Sequence, residues 1–326
     1  MPVSVSDKRA QFRSLHDSGC FALPNPWDVG SALLLQGMGF RALASTSSGY
    51  AWSTGRQDNS VTCDDVVAHL KALCDATDVP VNADFEAGFA HDPEGVAANV
   101  ARGVATGVAG LSIEDSTGDP SAPLYEVKLA VERIRAARKA IDGNGGDVLL
   151  VGRCEGFLVG QPDLDATIAR LIAYAEAGAD CLYAPGIRTK KEIATVVKAL
   201  APKPINVLIA QPGLTVPELA DLGVRRISIG GALAHRVGRV FAGSTRDCRQ
   251  RIVQWPCARR TSRRDQRPVS ERTALDRKKA GALSDARSSW IKSPPLVARR
   301  SRRCAVDLRS CRGGIRVRRR WRSRRT

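Results

Sequence analysis

The chain's 9 cysteines include no Cys-x-x-Cys pair and no Cys/His spacing of a metal ligand set. That excludes a zinc ribbon, a dithiol redox motif and a disulfide frame, and implies reduced thiols in a cytoplasmic protein. Cys154 and Cys181, next to strand ends but without a histidine nearby in sequence, read as buried small hydrophobes. Histidine is scarce, with 4 in 326 residues. His16 and His69 read as helix-surface residues, His91 and His235 as loop residues, and none is assigned a role. No window reaches the ~20 apolar residues of a membrane span. The first ten residues hold Asp7, Lys8 and Arg9 with no apolar run behind them, so no signal peptide is expected. A glycine-rich turn after the first strand is also missing. Pro24-Asn25-Pro26-Trp27-Asp28 stands there instead, which is no dinucleotide fingerprint.

Acidic residues are scarce in one part only. The formal charge of +17 suggests a nucleic-acid partner, yet residues 1–243 carry 23 Lys+Arg against 27 Asp+Glu, while residues 244–326 carry 27 against 6. The body is mildly acidic, and all of the basicity lies in the last quarter.

What is present is a repeat of strand and helix. Short apolar runs occur at 20–23, 41–45, 79–83, 110–113, 148–152, 180–183, 205–209 and 226–229. Amphipathic segments fill the gaps at 29–38, 64–77, 93–106, 124–141, 164–177, 190–200 and 216–222, after an opening helix over 6–17. Gly39, Gly107, Gly178 and Gly223 close four of these segments just before a strand, where glycine supplies the left-handed cap. Eight strands alternating with helices predict an α/β fold, a (β/α)8 TIM barrel with an N-terminal helix, over residues 1–243. A doubly wound sheet is the rival architecture, and the missing fingerprint counts against it.

In such barrels chemistry sits at the C-terminal strand ends. Those ends carry Asn25 and Asp28; Thr46 to Tyr50; Asp84 and Glu86; Glu114 and Asp115; Arg153 and Glu155; Tyr183; Asn206; and Gly230-Gly231. The opposite ends are mostly glycine, proline and alanine. Strand alternation points Asp84 and Glu86 the same way, and two like charges on one face call for a cation such as Mg2+, which prefers oxygen ligands. The bland reading is a solvated loop with two unrelated acids. Ser47-Ser48-Gly49 is either a plain loop or a nest of backbone N–H groups for an anion. Arg153 either neutralises Glu114 or Glu155 or binds a substrate anion, and Gly230-Gly231 is a tight turn or a phosphate site.

The run 21–28 with Thr46-Ser47-Ser48-Gly49, Gly55-Arg56-Gln57-Asp58, Asn82-Ala83-Asp84-Phe85-Glu86-Ala87-Gly88, Gly110 to Asp115 and Gly152-Arg153-Cys154-Glu155-Gly156 resembles the isocitrate lyase/phosphoenolpyruvate mutase superfamily over about residues 8–240. The resemblance implies a Mg2+-dependent barrel enzyme, with Mn2+ as the alternative ion. It would cleave or form a C–C bond, or a P–C bond, beside a carboxylate in a small 2-oxo or 2-hydroxy acid through an enolate. It further implies that Asp84 ligates the metal, that Glu86 and Glu114 hold its waters, and that Asp58, Glu114 and Arg153 are catalytic. Ser48, Gly49, Tyr50, Arg153 and Asn206 would bind the small anionic substrate, and the family's members are homo-oligomers.

The departures concern proton handling. The Lys-Lys-Cys-Gly-His loop of isocitrate and methylisocitrate lyases is replaced by residues 115–124, which hold no cysteine, lysine or histidine and would form the gating lid. After strand 6 the chain reads Tyr183-Ala184-Pro185-Gly186, without the histidine of the mutase or the glutamate of the lyases. Glu86 stands where many members have aspartate.

Beyond residue 243, arginine outnumbers lysine 24 to 3 and periodicity disappears. Residues 244–326 are read as a disordered basic arm for nucleic acid, as a small folded appendage, or as the product of a frame change near residues 238–244. The frame change accounts best for a break inside the eighth helix. It predicts weakened barrel closure and oligomerisation, and in the extreme an inactive chain.

Overall fold

The structure, a computed structural model, describes residues 2–238. The expectations for residues 244–326, the nucleic-acid reading included, lie outside the described residues, as does the end of the eighth helix. Eight parallel strands follow one another around a nearly closed barrel in the order β1-β8-β7-β6-β5-β4-β3-β2. They are β1 (Phe21–Leu23), β2 (Leu43–Ala44), β3 (Val81–Asp84), β4 (Gly110–Glu114), β5 (Leu149–Arg153), β6 (Cys181–Tyr183), β7 (Ile205–Leu208) and β8 (Arg226–Ser228). Between β1 and β2 the seam is bridged by the Ala44 amide donating to the Pro24 carbonyl at 3.0 Å and the Asn25 side-chain Nδ2 donating to the Ser45 carbonyl at 3.0 Å. The expected (β/α)8 barrel is the observed fold.

Helices α1 (Val5–Asp17), α2 (Val29–Gly37), α4 (Cys63–Ala76), α5 (Pro93–Ala105), α6 (Val127–Asp142), α7 (Leu164–Glu176), α8 (Lys190–Leu200) and α9 (Val216–Asp221) match the amphipathic segments, and α3 (Ser47–Ser53) is additional. Their starts are set locally. Asp28, Thr62, Thr189 and Thr215 form capping boxes with the residue three positions on, each satisfying two otherwise orphaned groups. The apolar stripes of these helices pack on the outward strand residues to form the main core, which includes Leu70, Phe85, Leu111, Leu150 and Leu182. Helix α1 supplies Phe12 and Leu15 to a separate cluster with Leu23, Ala44, Ala109 and Leu149. His16, expected on the surface, is buried: its Nδ1 donates to the Phe12 carbonyl at 2.8 Å, and its ring meets Phe12 edge-on. His69 is buried as well, stacked on Tyr50 with centroids 4.0 Å apart. Both corrections share a cause: an imidazole buries readily when its ring packs on another ring. His235 falls in the helical residues 232–238, not on a loop.

Among the described residues no helix is long and apolar enough to cross a membrane.

Candidate functional site

At the C-terminal mouth, β3, β4 and β5 bring together the charged residues that the sequence placed at their ends. Asp84, Glu114 and Arg153 are the last residues of these three strands. Arg153 Nη1 lies 3.1 Å from Asp84 Oδ1 and 3.1 Å from Glu114 Oε2, and its Nε donates to Glu155 Oε1 at 2.5 Å. The guanidinium also sits over the Tyr183 ring, 5.3 Å from its centroid. One part-buried cation thus faces Asp84, Glu114 and Glu155, while Glu86 and Asp58 add their charges to the same field.

The electrostatic consequence follows from burial. Desolvation lifts the Glu86 carboxyl to about 8, with Asp84 and Asp58 adding repulsion and Arg153 opposing it. Burial also holds Glu114 well above the ordinary carboxylate range, Arg153 being the opposing influence. Glu155 and Asp58 are shifted upward as well, desolvation leading in each case. Among the described residues Glu86 Oε1 is buried with no hydrogen-bond partner. Such an oxygen costs free energy unless a proton, a water or a cation completes it.

Backbone geometry around the acids departs from the sequence reading. Alternation ends at Asp84, and Glu86 lies beyond the strand with φ +48°, in the left-handed region, as does Phe89 at φ +55°. Strand periodicity therefore does not aim Glu86. What holds its loop is Arg133, 1% exposed, whose guanidinium donates to the carbonyls of Ala87, Ala90 (2.6 Å) and His91 (2.5 Å) and stacks on Tyr125 at 4.0 Å. Residues 47–49 are neither plain loop nor nest but the first turn of α3, capped by Thr46. The Ser47 amide donates to Asp84 Oδ2 at 2.9 Å, so the anion it serves is a side chain of the protein.

Of the substrate-binding expectations, Ser48, Arg153 and Asn206 line the cavity of about 200 Å³ that descends from the mouth into the barrel, together with Asp58 and Asp84. Gly49 and Tyr50 do not line it. The Gly49 amide is spent on Thr46 Oγ1, and a Cβ there would come within 2.6 Å of Thr46 Cγ2, so glycine serves close packing. The Tyr50 hydroxyl donates to the Asp65 carbonyl on α4 at 3.3 Å. Two more strand-end residues are structural. Asp28 caps α2, and Asp115, 3% exposed, accepts from the Glu155 amide (2.7 Å), the Tyr174 hydroxyl (2.6 Å) and Arg170 (3.3 Å). The amides of Ile229 and Gly230 both donate to Asn25 Oδ1 at 2.9 Å, which makes Gly230-Gly231 a turn whose Gly230 amide is already bound.

Sequence reasoning passed over the cavity's lower wall: Asn82, Ser112, Arg226 and Ser228. The signal that could have found them is polar residues at inward positions of strands that otherwise read as apolar.

The loop over 115–124 is pinned at its base by an antiparallel bridge between Ser116 and Leu124, with the Thr117 amide donating to the Pro123 carbonyl at 3.0 Å.

Among the described residues no three His, Cys, Asp or Glu side chains converge as a direct ligand set. The residues present fit a hydrated hard cation, which needs one or two direct carboxylates and keeps its waters. Asp84 retains a free lone pair on each oxygen, and Glu86 offers its unpartnered oxygen.

Comparison with known proteins agrees with this architecture. A provisionally designated lyase/mutase of Burkholderia cenocepacia J2315 superposes with a TM-score of 0.73 at 45% identity, covering 75% of this chain and 89% of that one. An uncharacterised protein of Mycobacterium tuberculosis is 34% identical over 221 residues, 67% of this chain and 81% of its own. An oxaloacetate decarboxylase of Pseudomonas aeruginosa is 30% identical over 244 residues, 71% of this chain and 81% of that protein. Residues 12–248 match the family described as phosphoenolpyruvate phosphomutase. The chain belongs to that family, within the phosphoenolpyruvate mutase/isocitrate lyase superfamily.

Proposed function

We propose that this protein is a Mg2+-dependent lyase that cleaves or forms a C–C bond beside a carboxylate in a small 2-oxo or 2-hydroxy acid through an enolate. The observation that carries the reading is the imbalance at the mouth: among the described residues Arg153 alone pairs with Asp84, Glu114 and Glu155, and Glu86 next to them has an oxygen without a partner. Asp84 would hold the ion directly, and Glu86 and Glu114 would hold its waters. Mn2+ would serve in the same place. When bound, the cation supplies an electron sink for charge that develops on a carbonyl or carboxylate oxygen.

The chain's own residues do the rest. Breaking the bond from C3 to its substituent in a 2-oxo acid sends that electron pair towards the carbonyl and leaves an enolate, which later takes a proton on carbon. The substituent is released as the electron-poor fragment, CO2 where it is a carboxylate. Arg153, released from part of its carboxylate load, offers parallel donors to a planar carboxylate. Tyr183, whose hydroxyl burial pushes up to about 12, stays protonated in the cavity wall and can lend a proton. A 2-hydroxy acid must also lose its hydroxyl proton. Among the described residues no histidine, lysine or cysteine lines the cavity, so that proton would go to a carboxylate such as Asp58. The 2-oxo acids are therefore the favoured substrates, and the resemblance to an oxaloacetate decarboxylase supports them.

Thermal unfolding with Mg2+ and oxalate, a mimic of a pyruvate-like enolate, tests the site. A rise in midpoint that needs both ligands and is lost in Asp84→Ala supports it, and a midpoint that ignores both ligands defeats it. The family's name favours a second reading, P–C bond rearrangement. Phosphorus NMR separates the two, because only that chemistry moves phosphorus from carbon to oxygen.

A further inference from the structure

Arg226 is 3% exposed and lies within the barrel at the first position of β8. Its Nε donates to Asn206 Oδ1 at 2.9 Å, and its Nη1 reaches Asn82 Oδ1 at 3.3 Å and His16 Nε2 at 3.5 Å. The histidine is neutral, since burial and the neighbouring Arg226 hold its pKa near 3, so it compensates none of the charge. Among the described residues no carboxylate pairs with this guanidinium. A buried charge held only by neutral groups is expensive. Arg226 nevertheless lines the same cavity that opens at Asp84 and Arg153.

The cavity is therefore polarised along its length. Its mouth gathers carboxylates, while its foot holds a cation among amides and hydroxyls. Asn82 and Asp84 measure the distance between the two levels. They lie two residues apart on β3, with Asn82 touching Arg226 and Asp84 touching Arg153. Two strand residues rise roughly 6–7 Å, which is the span of a four-carbon diacid.

We propose that Arg226 is an anion subsite that takes the second carboxylate of a short dicarboxylic acid whose other end lies at the mouth. This rests on the lyase reading for its substrate class, but the subsite stands on Arg226 alone. It selects diacids over monoacids because the missing carboxylate would leave the guanidinium uncompensated.

The first test is calorimetric titration of metal-free protein with formate, which is small enough for the foot of the cavity. Wild-type protein and Asp84→Asn should bind it alike. Arg226→Gln and Asn206→Asp should weaken binding at least tenfold. Asn206→Asp matters most, because it keeps side-chain volume and neutralises the guanidinium in place, so it remains informative even where Arg226→Gln fails to fold. Absence of formate binding to wild-type protein, or unchanged affinity in folded Asn206→Asp, overturns the subsite.

The diacid claim is tested in Mg2+-loaded protein with malate and lactate, which share a 2-hydroxy acid head and differ by one carboxylate. Malate should bind at least tenfold more tightly, and Asn206→Asp should erase the preference. Equal affinities for wild type overturn the claim. Mn2+ titration reports the mouth separately. Formate binding without Mn2+ uptake sinks the lyase reading and leaves the subsite standing.

Discussion

Asn82 and Asp84, two residues apart on β3, accept hydrogen bonds from two different arginines, the buried Arg226 at 3.3 Å and the part-buried Arg153 at 3.1 Å. Gly110 makes room for the lower contact. A Cβ at this glycine would stand 2.5 Å from Asn82 Oδ1 and 2.6 Å from Phe12 Cε1. One strand thus fixes the register of both charged levels, and the two levels have opposite character.

Glu86 predicts a proton-coupled metal site. In metal-free protein its carboxyl is raised from 4.5 to about 8. A folded-state pKa above the unfolded value means that stability falls as pH rises from about 4.5 towards 8, because in that range unfolding releases the proton that the folded state still holds. At pH 7, Mg2+ binding should release a proton, and affinity should rise up to about tenfold per pH unit below 8. Calorimetry in buffers of different ionisation enthalpy measures the proton. Glu86→Gln should abolish its release, weaken Mg2+ binding and raise the metal-free unfolding midpoint at pH 8.

Arg153 predicts the converse. Arg153→Ala removes the one cation that, among the described residues, Asp84, Glu114 and Glu155 share. Breaking a buried pair from one side costs about 3–5 kcal/mol, and protonation of the acids offsets part of that. The metal-free variant should melt earlier, the loss growing from pH 6 to pH 8, and Mg2+ should restore more of the midpoint than it adds to wild type. Equal Mg2+ shifts in the two proteins would mean that ion and guanidinium do not share these carboxylates.

Much of this was legible in the sequence, for a physical reason. Strand count, helix stops and the placing of Asp84, Glu114 and Arg153 at strand ends follow from local periodicity and capping, which act over a few residues. Asp58 lines the cavity beside Asp84. What was not legible depends on partners far along the chain. Tyr50 carries the same chemistry whether it faces a ligand or, as here, the Asp65 carbonyl on α4. His16 reads as a surface residue until Phe12, Phe21 and Arg226 close around it. Glu86 owes its direction to a left-handed backbone turn that alternation does not encode. Arg226, at a strand start, was passed over because attention to strand ends looks only at the mouth.

Arg133 is a positioning residue for that turn. Arg133→Met keeps the length of the buried stem but leaves the carbonyls of Ala87, Ala90 and His91 without their donor. Unpaired buried acceptors cost about 1–3 kcal/mol each, less whatever water recovers. Urea unfolding should show a loss of about 2–4 kcal/mol. Mg2+ affinity should fall as well, because Glu86 shares the loosened loop. A merely structural role would lower stability and leave the affinity of the folded fraction unchanged, so titration below the unfolding transition separates the two.

Tyr174 predicts how tightly the back of the site is held. Its hydroxyl donates to Asp115 Oδ2 at 2.6 Å, and Asp115 Oδ1 accepts from the Glu155 amide at 2.7 Å. The carboxylate thereby ties α7 to the chain just after β5, immediately beyond Arg153. Tyr174→Phe deletes only the hydroxyl, leaving Oδ2 to Arg170 at 3.3 Å. Losing a buried bond to a charged acceptor should cost about 1.5–3 kcal/mol in urea unfolding. Because Asp115 faces away from the cavity and does not line it, Mg2+ affinity and its pH dependence should stay within twofold of wild type. A larger loss of affinity would mean that the Asp115–Glu155 link transmits to the mouth, where Glu155 holds the Nε of Arg153 at 2.5 Å. Asp115→Asn, which keeps an acceptor for Tyr174 and lowers the charge behind Glu155, would then shift the pH profile of Mg2+ binding, a change that loss of stability alone does not produce.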